Sequence, residues 1–455
     1  MTGSSNVTLI RGRHVLTFGP LGHLQDAALA IEGNRIIDAG SYRALREKYA
    51  EAAVEGGPNS IVLPGLINAH THFSEALITG MCEHMTIWEW GSRLLLPTGP
   101  FLTREAARVG TVFKSAELIA SGVTTVNDMF CHTNYGARAS LGVVDGMEEI
   151  GIRGISSFGA EDNVGGKVPP TGPILEEHLA LYERTCSANN VGFRLGIGTV
   201  LGQTDGLFRA SIDLAREKGW GVHTHLAEVR EEKVSARLRW GESAVEHSAS
   251  CGLLDLDVIA GHGIWLDEPE LKLIGAKGTK IVHNPVANMI LASGVCNVQR
   301  LRNNGITVGL GTDGAASNDS QNMLEVVKTA ALMQKVHHMD PSVISARDVL
   351  RMATIEGAKL LGMESEIGSL EPGKRADVCV FSGEWPGTAI VHDPYQQVVY
   401  GASVRDVSDV WIDGVRKLAS GKVQGICLPS VIEKAREEAV RIAKNSNIKE
   451  FSCLA

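Results

Sequence analysis

Short apolar segments alternate with stretches of helical periodicity along most of this 455-residue chain. The apolar segments fall near residues 62–69, 123–128, 152–158, 192–199, 219–226, 257–262, 279–283 and 306–312. Between most of them lie Arg104–Ser121, Gly142–Ile150, Leu175–Ala188, Leu207–Lys218, Ala244–Gly252 and Val298–Asn304, where apolar residues recur at helical spacing. Strands that alternate with helices pair in parallel, because a parallel pair needs a long crossover to return the chain. Eight such units predict an α/β chain built on a (β/α)8 TIM barrel. An open doubly wound sheet would carry a Gly-rich phosphate turn after an early strand, and this sequence has none.

The two ends read differently from the middle. Val7–Ile10, Val15–Phe18 and Ala27–Ile31 are strand-like, Gly33-Asn34 offers a hairpin turn, and Arg35–Ala39 follows as a strand. Residues 40–57 read as helical and polar. Beyond the helical Met323–Met333 and Ala346–Leu361, the turn-rich Gly368–Lys374 opens a second β-rich region with strands at Asp377–Phe381, Gln397–Tyr400 and Val407–Ile412. A charged helix over about residues 429–445 closes the chain. Two β-rich ends around a barrel predict a small β-sandwich domain formed by both chain ends. The resulting plan is 1–63 for its N-terminal part, 64–367 for the catalytic barrel, 368–425 for its C-terminal part and 426–455 for a terminal helix.

A hydrophobic fraction of 44% and a charged fraction of 21% allow a sizeable core and exclude a disordered chain. The net charge of −9 is spread over interspersed acids and bases, which leaves no nucleic-acid footprint and no polybasic membrane patch. No apolar run approaches the roughly 20 residues that a bilayer span needs. Met1-Thr2-Gly3-Ser4-Ser5-Asn6 lacks the basic stretch and apolar core of a signal peptide. The eight cysteines, Cys82 and Cys453 among them, contain no C-x-x-C pair, so they read as reduced thiols of a cytoplasmic protein rather than a zinc knuckle.

The chemistry gathers at strand ends. His70-Thr71-His72 ends the first barrel strand, and alternate residues of a strand share a face, so both rings can address one ion. The same pattern also occurs as two surface histidines in a turn. His223-Thr224-His225 ends the fifth strand; His225 lies nearer the mouth and is the better third ligand, with His223 a buried layer residue beneath it. Glu228 stands in the loop just beyond, where a carboxylate can take a proton from water and hand it to a leaving nitrogen. The other acids of Glu228–Lys233 read as solvated helix-start carboxylates. Asp313 ends the eighth strand and completes a shell of three His and one Asp, while His262 and His283 end strands six and seven. Imidazoles with one carboxylate and an open position suit Zn2+, one per subunit; Fe2+ or Mn2+ fits the same donors. Such an ion lowers the pKa of bound water to roughly 7.

The stretches Pro64–His72, Ser121–Thr125, His225–Glu228, His283-Asn284-Pro285, Gly311–Asp319 and Gly373–Asp377 resemble the amidohydrolase superfamily. They are most similar to its aromatic deaminases, such as those of methylthioadenosine and S-adenosylhomocysteine, and to its triazine hydrolases. The resemblance implies metal ligands at His70, His72, His225 and Asp313, and a proton shuttle at Glu228. It makes His262 a polarising group, Asp313 the base that receives the water's proton, and the protein a homo-oligomer. It places Glu89, Trp90, Arg153, His283 and Asn318 toward a small heterocyclic substrate. Three departures touch the substrate rather than the reaction. Glu83-His84 stands where the family has paired acids, Gly196–Gln203 lacks the family's Gly-Pro-His, and Ser156–Gly159 lacks a second Arg.

Taken together, these residues predict a hydrolytic deaminase of an amino-substituted nitrogen heterocycle. The rivals are release of chloride or an alkylamine from a triazine, hydrolysis of a cyclic or linear amide, and a non-catalytic binding barrel. The choice among substrates rests on pocket groups such as Trp88, Glu89, Trp90, His132 and Gln203.

Overall fold

The computed structural model describes residues 7–81, 83–163 and 169–448. Cys82, Cys453, residues 164–168 and the end of the expected terminal segment lie outside the described residues. The chain divides into two compact units. One comprises Met1–Asn68, Ala116–Thr125 and Asn322–Ile426; the other comprises Ala69–Ser115, Val126–Gln321 and Cys427–Ala455.

The N-terminal strands are β1 (Val7–Leu16), β2 (His23–Glu32), β3 (Arg35–Ser41), β4 (Ala53–Gly56) and β5 (Ile61–Pro64). The two strands expected at 7–10 and 15–18 are one continuous strand. It pairs antiparallel with β2 along its whole length, so it has no break in the middle. The stretch 40–57 is helical only over Tyr42–Lys48, and its remainder supplies β4, parallel to β1.

The barrel follows with β6 (Leu66–His72), β7 (Val123–Phe130), β8 (Arg153–Phe158), β9 (Val191–Phe193), β10 (Leu195–Thr199), β11 (Val222–Leu226), β12 (Val258–His262), β13 (Lys280–His283), β14 (Val308–Leu310) and β15 (Asp313–Gly314). Two five-stranded parallel runs, β15-β6-β7-β8-β9 and β10-β11-β12-β13-β14, account for the eight barrel positions, because β9 with β10 and β14 with β15 are each one interrupted strand. A parallel bridge between Ala160 and Ile197 links the two runs. Local signals set the helices between them. Thr204 caps Asp205–Lys218 by accepting the Leu207 N–H at 3.3 Å, and Gly219, at φ 68°, stops that helix in a conformation that favours glycine.

The C-terminal strands are β16 (Val378–Phe381), β17 (Val407–Ile412), β18 (Val415–Ala419) and β19 (Lys422–Val423). Antiparallel pairing of β16 with β5 joins both chain ends in one nine-stranded sheet. Its buried cluster includes Ile10, Val15, Leu29, Ile36, Val62, Val378, Val380 and Trp411. Gln397–Tyr400, expected as a strand, is helical. Asp393 accepts the N–H groups of Tyr395 and Gln396 at 2.8 and 3.1 Å, and Pro394 presets the helical φ, so the apolar run starts from a helix cap. The single helix expected at Ala346–Leu361 is two, Ala346–Met352 and Ile355–Leu361, because the Ala353 carbonyl accepts the Ile67 N–H at 2.8 Å. The closing helix runs over Leu428–Asn445. Among the described residues no helix is long and apolar enough to cross a membrane.

A buried carboxylate–imidazole hydrogen bond lies in the second unit. Glu177 Oε1 accepts from His132 Nε2 at 2.8 Å and from Ser140 Oγ at 2.7 Å, while Asn134 N donates to the other side of the His132 ring. Burial alone would raise the Glu177 carboxyl, but these donors outweigh it and hold it below the ordinary value of 4.5. A depressed carboxylate contributes stability that is complete above the ordinary value and is lost as pH falls through the depressed one. Glu177→Gln is therefore expected to cost about 2 kcal/mol near neutrality and to flatten the acid limb of stability against pH. Denaturant melts from pH 7 to pH 3 test this, and an unchanged acid limb would count against it.

Candidate metal centre and active site

His70 and His72 share one face of β6, with ring centroids 4.7 Å apart. Thr71 between them turns away and bonds Gln321 Oε1 at 2.8 Å. Each ring has its Nδ1 side tied. His72 Nδ1 donates to the Met129 carbonyl at 2.6 Å, and His225 Nδ1 donates to the Gly198 carbonyl at 2.6 Å. Carbonyls only accept, so in both rings the Nε2 lone pair is left free, and the two Nε2 atoms face each other at 3.0 Å.

His70 reaches the same state through a longer relay. Ser157 Oγ donates to the Asp128 carbonyl at 2.7 Å and so accepts from His223 Nδ1 at 3.2 Å. His223 Nε2 then accepts from His70 Nδ1 at 2.8 Å, and His70 Nε2 is buried with no hydrogen-bond partner. These tautomers follow from the hydrogen-bond network.

Asp313 Oδ1 lies 3.3 Å from His70 Nε2 and 3.2 Å from His72 Nε2. Donor atoms of His70, His225, His262 and Asp313 all lie within 4.8 Å of one another. Bonds of about 2.0–2.1 Å to a tetrahedral zinc put neighbouring donors about 3.3 Å apart. The spacings of 3.0, 3.2 and 3.3 Å, with the orphaned His70 nitrogen, therefore fit one ion.

Burial sets most of the charge states. It lowers His70 to about 4, and it drives His223 and His225 well below the usual imidazole range with help from the neighbouring rings. Burial also works against charge on Asp313, but the facing rings of His70, His72 and His262 outweigh it and hold the carboxylate well below its usual range.

Backbone shape permits this crowding. A Cβ on Gly261 would lie 3.2 Å from His70 Nε2, and one on Gly311 would lie 2.7 Å from the His70 carbonyl oxygen. His262 and Asp313 adopt left-handed backbone at φ 76° and 65°. Such strain is characteristic of functional positions.

His262 Nδ1 bonds Asn288 Oδ1 at 2.9 Å, which turns its Nε2 toward Glu228 Oε2 at 3.4 Å and Asp313 Oδ2 at 3.8 Å. Ser293 Oγ holds Glu228 Oε1 at 3.1 Å, and burial raises the Glu228 carboxyl.

A cavity of about 370 Å³ opens above these groups, with His72, Glu228, His262 and Asp313 on its wall. Of the five residues expected at the substrate, Trp90 is on that wall, its indole N–H donating to the Ala316 carbonyl at 3.2 Å. The other four are elsewhere. Glu89 is exposed and caps its own helix through Thr86; Arg153 and His283 are fully buried in β8 and β13; Asn318 bonds the Thr312 carbonyl at 2.6 Å. Trp88 and His132 reach the wall, whereas the buried Gln203 donates to the Ala160 carbonyl.

Sequence reading missed two carboxylates. Glu75 is buried, lines the cavity and is pushed up to about 7, chiefly by burial. Glu232 also lines it and, far from being a solvated helix-start acid, accepts the N–H groups of Ala227 and Glu228 at 3.2 and 2.9 Å. An acid three residues past the H-x-H pair was the available signal for Glu75.

The amidohydrolase family profile matches residues 61–417. The chain belongs to the amidohydrolase family. It is a hydrolase acting on carbon–nitrogen bonds other than peptide bonds. A 5'-deoxyadenosine deaminase of Methanopyrus kandleri is 32% identical over 426 residues, covering 93% of this chain and 96% of the relative. A 5-methylthioadenosine/S-adenosylhomocysteine deaminase of Thermococcus kodakarensis is 34% identical, covering 89% of this chain and 92% of the relative. Among solved structures, a zinc-bound adenosine deaminase of Xanthomonas campestris superposes with a TM-score of 0.89 at 26% identity, over 96% of this chain and 98% of that one. The zinc complex of atrazine chlorohydrolase from Arthrobacter aurescens, at 24% identity and TM-score 0.86 over 95% of this chain and all of that one, shares the fold.

Asparagine tolerates left-handed backbone, so Asp313→Asn removes the carboxylate charge without adding strain. The variant is expected to keep its far-UV circular dichroism while losing bound metal and turnover. Full metal content by mass spectrometry would contradict the donor set.

Proposed function

We propose that this chain is a zinc-dependent hydrolytic deaminase of an adenosine-type nucleoside. One ion per chain is held by His70, His72, His225 and Asp313. The nucleoside class is supported by sequence relatives that match nearly full length and are named for such substrates. The observation that carries the reaction is the placement of Glu228. Its carboxyl is on the cavity wall, anchored by Ser293, 3.4 Å from His262 and beside the converged donors.

Bound there, zinc supplies the Lewis acidity that makes water a nucleophile near neutral pH. Asp313 Oδ2, turned toward His262, receives the proton of the attacking water. Glu228, whose carboxyl is raised by burial, delivers a proton to the ring nitrogen beside the amino-bearing carbon. A carbon–oxygen bond forms there. His262, oriented by Asn288, holds the developing oxygen charge. The carbon–nitrogen bond then breaks: the proton held by Asp313 passes to the amino group, which leaves as ammonia, the remaining hydroxyl proton returns to Glu228, and the ring keeps the oxygen as an oxo group. Trp90 contributes an apolar wall against the substrate. The protein works as a cytoplasmic homo-oligomer, and the joined terminal strands close into a small β-sandwich beyond the catalytic barrel's own sequence range of 64–367.

Ammonia release from adenosine, 5'-deoxyadenosine and 5'-methylthioadenosine is the direct test. Guanine-type, pterin and aminotriazine compounds serve as the comparison panel. Chelator-sensitive release from the adenosine group is expected, and Glu228→Gln is expected to lower kcat by about 100-fold or more. Release from aminotriazines alone would move the assignment to a triazine hydrolase. A Glu228→Gln variant equal to wild type would overturn the catalytic reading.

A further inference from the structure

Glu75 ends the short helical turn Phe73–Glu75, three residues beyond His72. It is 2% exposed, yet it belongs to the cavity wall. Its two oxygens differ. Oε2 accepts the Ala316 N–H at 3.0 Å and the Ser317 hydroxyl at 3.2 Å. A Cβ on Gly314 would lie 1.8 Å from that oxygen, so the carboxylate is wedged against bare backbone and fixed in direction. Among the described residues none donates a hydrogen bond to Oε1, and the residue lines the cavity.

The other carboxylates on the wall are occupied. Glu228 and Asp313 serve the reaction proposed above, Glu232 has both oxygens on backbone N–H groups, and Glu161 is hydrogen-bonded to Thr199. A carboxylate oxygen held in one direction and open to the cavity is an acceptor that a ligand donor can meet. Strand order adds direction. β6, which leads into Glu75, is the first barrel strand, and β11, which leads into Glu228, is the fifth. In a ring of eight these stand opposite each other across the mouth, so the two acids address a bound ring from opposite sides.

We propose that Glu75 determines specificity by accepting, through Oε1, a hydrogen bond from an N–H or O–H donor of the heterocyclic substrate. The proposal rests on the deaminase reading only in taking a heterocycle as the occupant of the cavity. Two donors have this chemistry, a sugar hydroxyl of a nucleoside and a ring N–H of a lactam base.

The test exploits the wedge. In Glu75→Gln, the Ala316 N–H holds the amide oxygen in place of Oε2, and the amide NH2 then faces the cavity. An acceptor becomes a donor at one position with little change of shape. Binding is measured by calorimetry on zinc-loaded protein in a Glu228→Gln background, which prevents turnover. Adenosine is compared with 2',3'-dideoxyadenosine for the hydroxyl arm, and guanine with purine for the ring N–H arm. The expected result is a loss of about 10- to 100-fold for the donor-bearing member of one pair. Its partner lacking the donor should stay within about two-fold and zinc content should not change. The arm that responds names the donor.

Equal losses within both pairs, no loss in either, or departure of zinc would overturn the proposal. Binding of none of the four ligands by the parent protein would overturn it too. Failure of the deaminase reading looks different, since it appears as absence of ammonia from the protein with Glu75 and Glu228 intact, whatever the binding result.

Discussion

His70, His72 and His225 can aim three Nε2 lone pairs at one point only because the far side of each ring is already bonded. Two of those bonds run to the carbonyls of Met129 and Gly198, and the third runs through His223 and Ser157 to the carbonyl of Asp128. Met129 and Gly198 are on the strands next to β6 and β11, and the His70 relay crosses the barrel to β11 and on to β8 and β7, so the ring orientations are a property of the closed barrel and not of the H-x-H sequences. A ring free to flip would satisfy its own nitrogens and lose the convergence. Holding it open leaves the His70 nitrogen buried without a partner, a cost that a bound cation would offset.

That convergence requires backbone to approach rings more closely than ordinary side chains allow. Gly261 and Gly311 provide the room beside His70, and Gly314 provides it beside Glu75. His262 and Asp313 have the opposite problem. Both need functional side chains while their backbones are left-handed, a conformation that costs an ordinary residue about 1–2 kcal/mol. Each is held by several bonds at once. Asn288 holds the His262 ring, while Gln321 Nε2 donates to the Asp313 carbonyl at 3.0 Å and the Gly314 N–H to Asp313 Oδ1 at 3.1 Å. Both strained positions are on the cavity wall, and the supporting bonds come from Asn288, Gln321 and Gly314, which are not on that wall.

The strand ends were legible because apolar runs interrupted by His or Asp are rare, and five such interruptions recur with the barrel's period. Elements governed by local chemistry that cuts against hydrophobic pattern were not legible. Gln397–Tyr400 has a strand's composition, but Asp393-Pro394 starts a helix just before it. Ala346–Leu361 has one helix's periodicity, but a carbonyl at Ala353 is claimed by Ile67 from far away in sequence. Residues matched to a family pattern fared unevenly at the cavity. Trp90 reached the wall, whereas His283 and Arg153 carry their polar groups inside the protein. Spacing reveals which residues leave a strand at its mouth but not which way a loop turns the next side chain, and Glu75 was overlooked for that reason.

Four glutamates meet on the wall of one cavity, and their different bonding separates their work. Glu232 gives both oxygens to the N–H groups of Ala227 and Glu228, and Ala227 is itself left-handed at φ 53°. It therefore fixes the turn that carries Glu228. Glu228 is bound at one oxygen by a serine, a donor that can rotate away, and its other oxygen faces His262. That combination suits a group that must change protonation state without losing its place. Glu75 is bound at one oxygen by a backbone N–H, which cannot rotate away, together with the Ser317 hydroxyl, and is open at the other. That suits a fixed acceptor. Burial raises Glu75, Glu161, Glu228 and Glu232 alike, so desolvation cannot assign their roles. The number and kind of donors on each oxygen can.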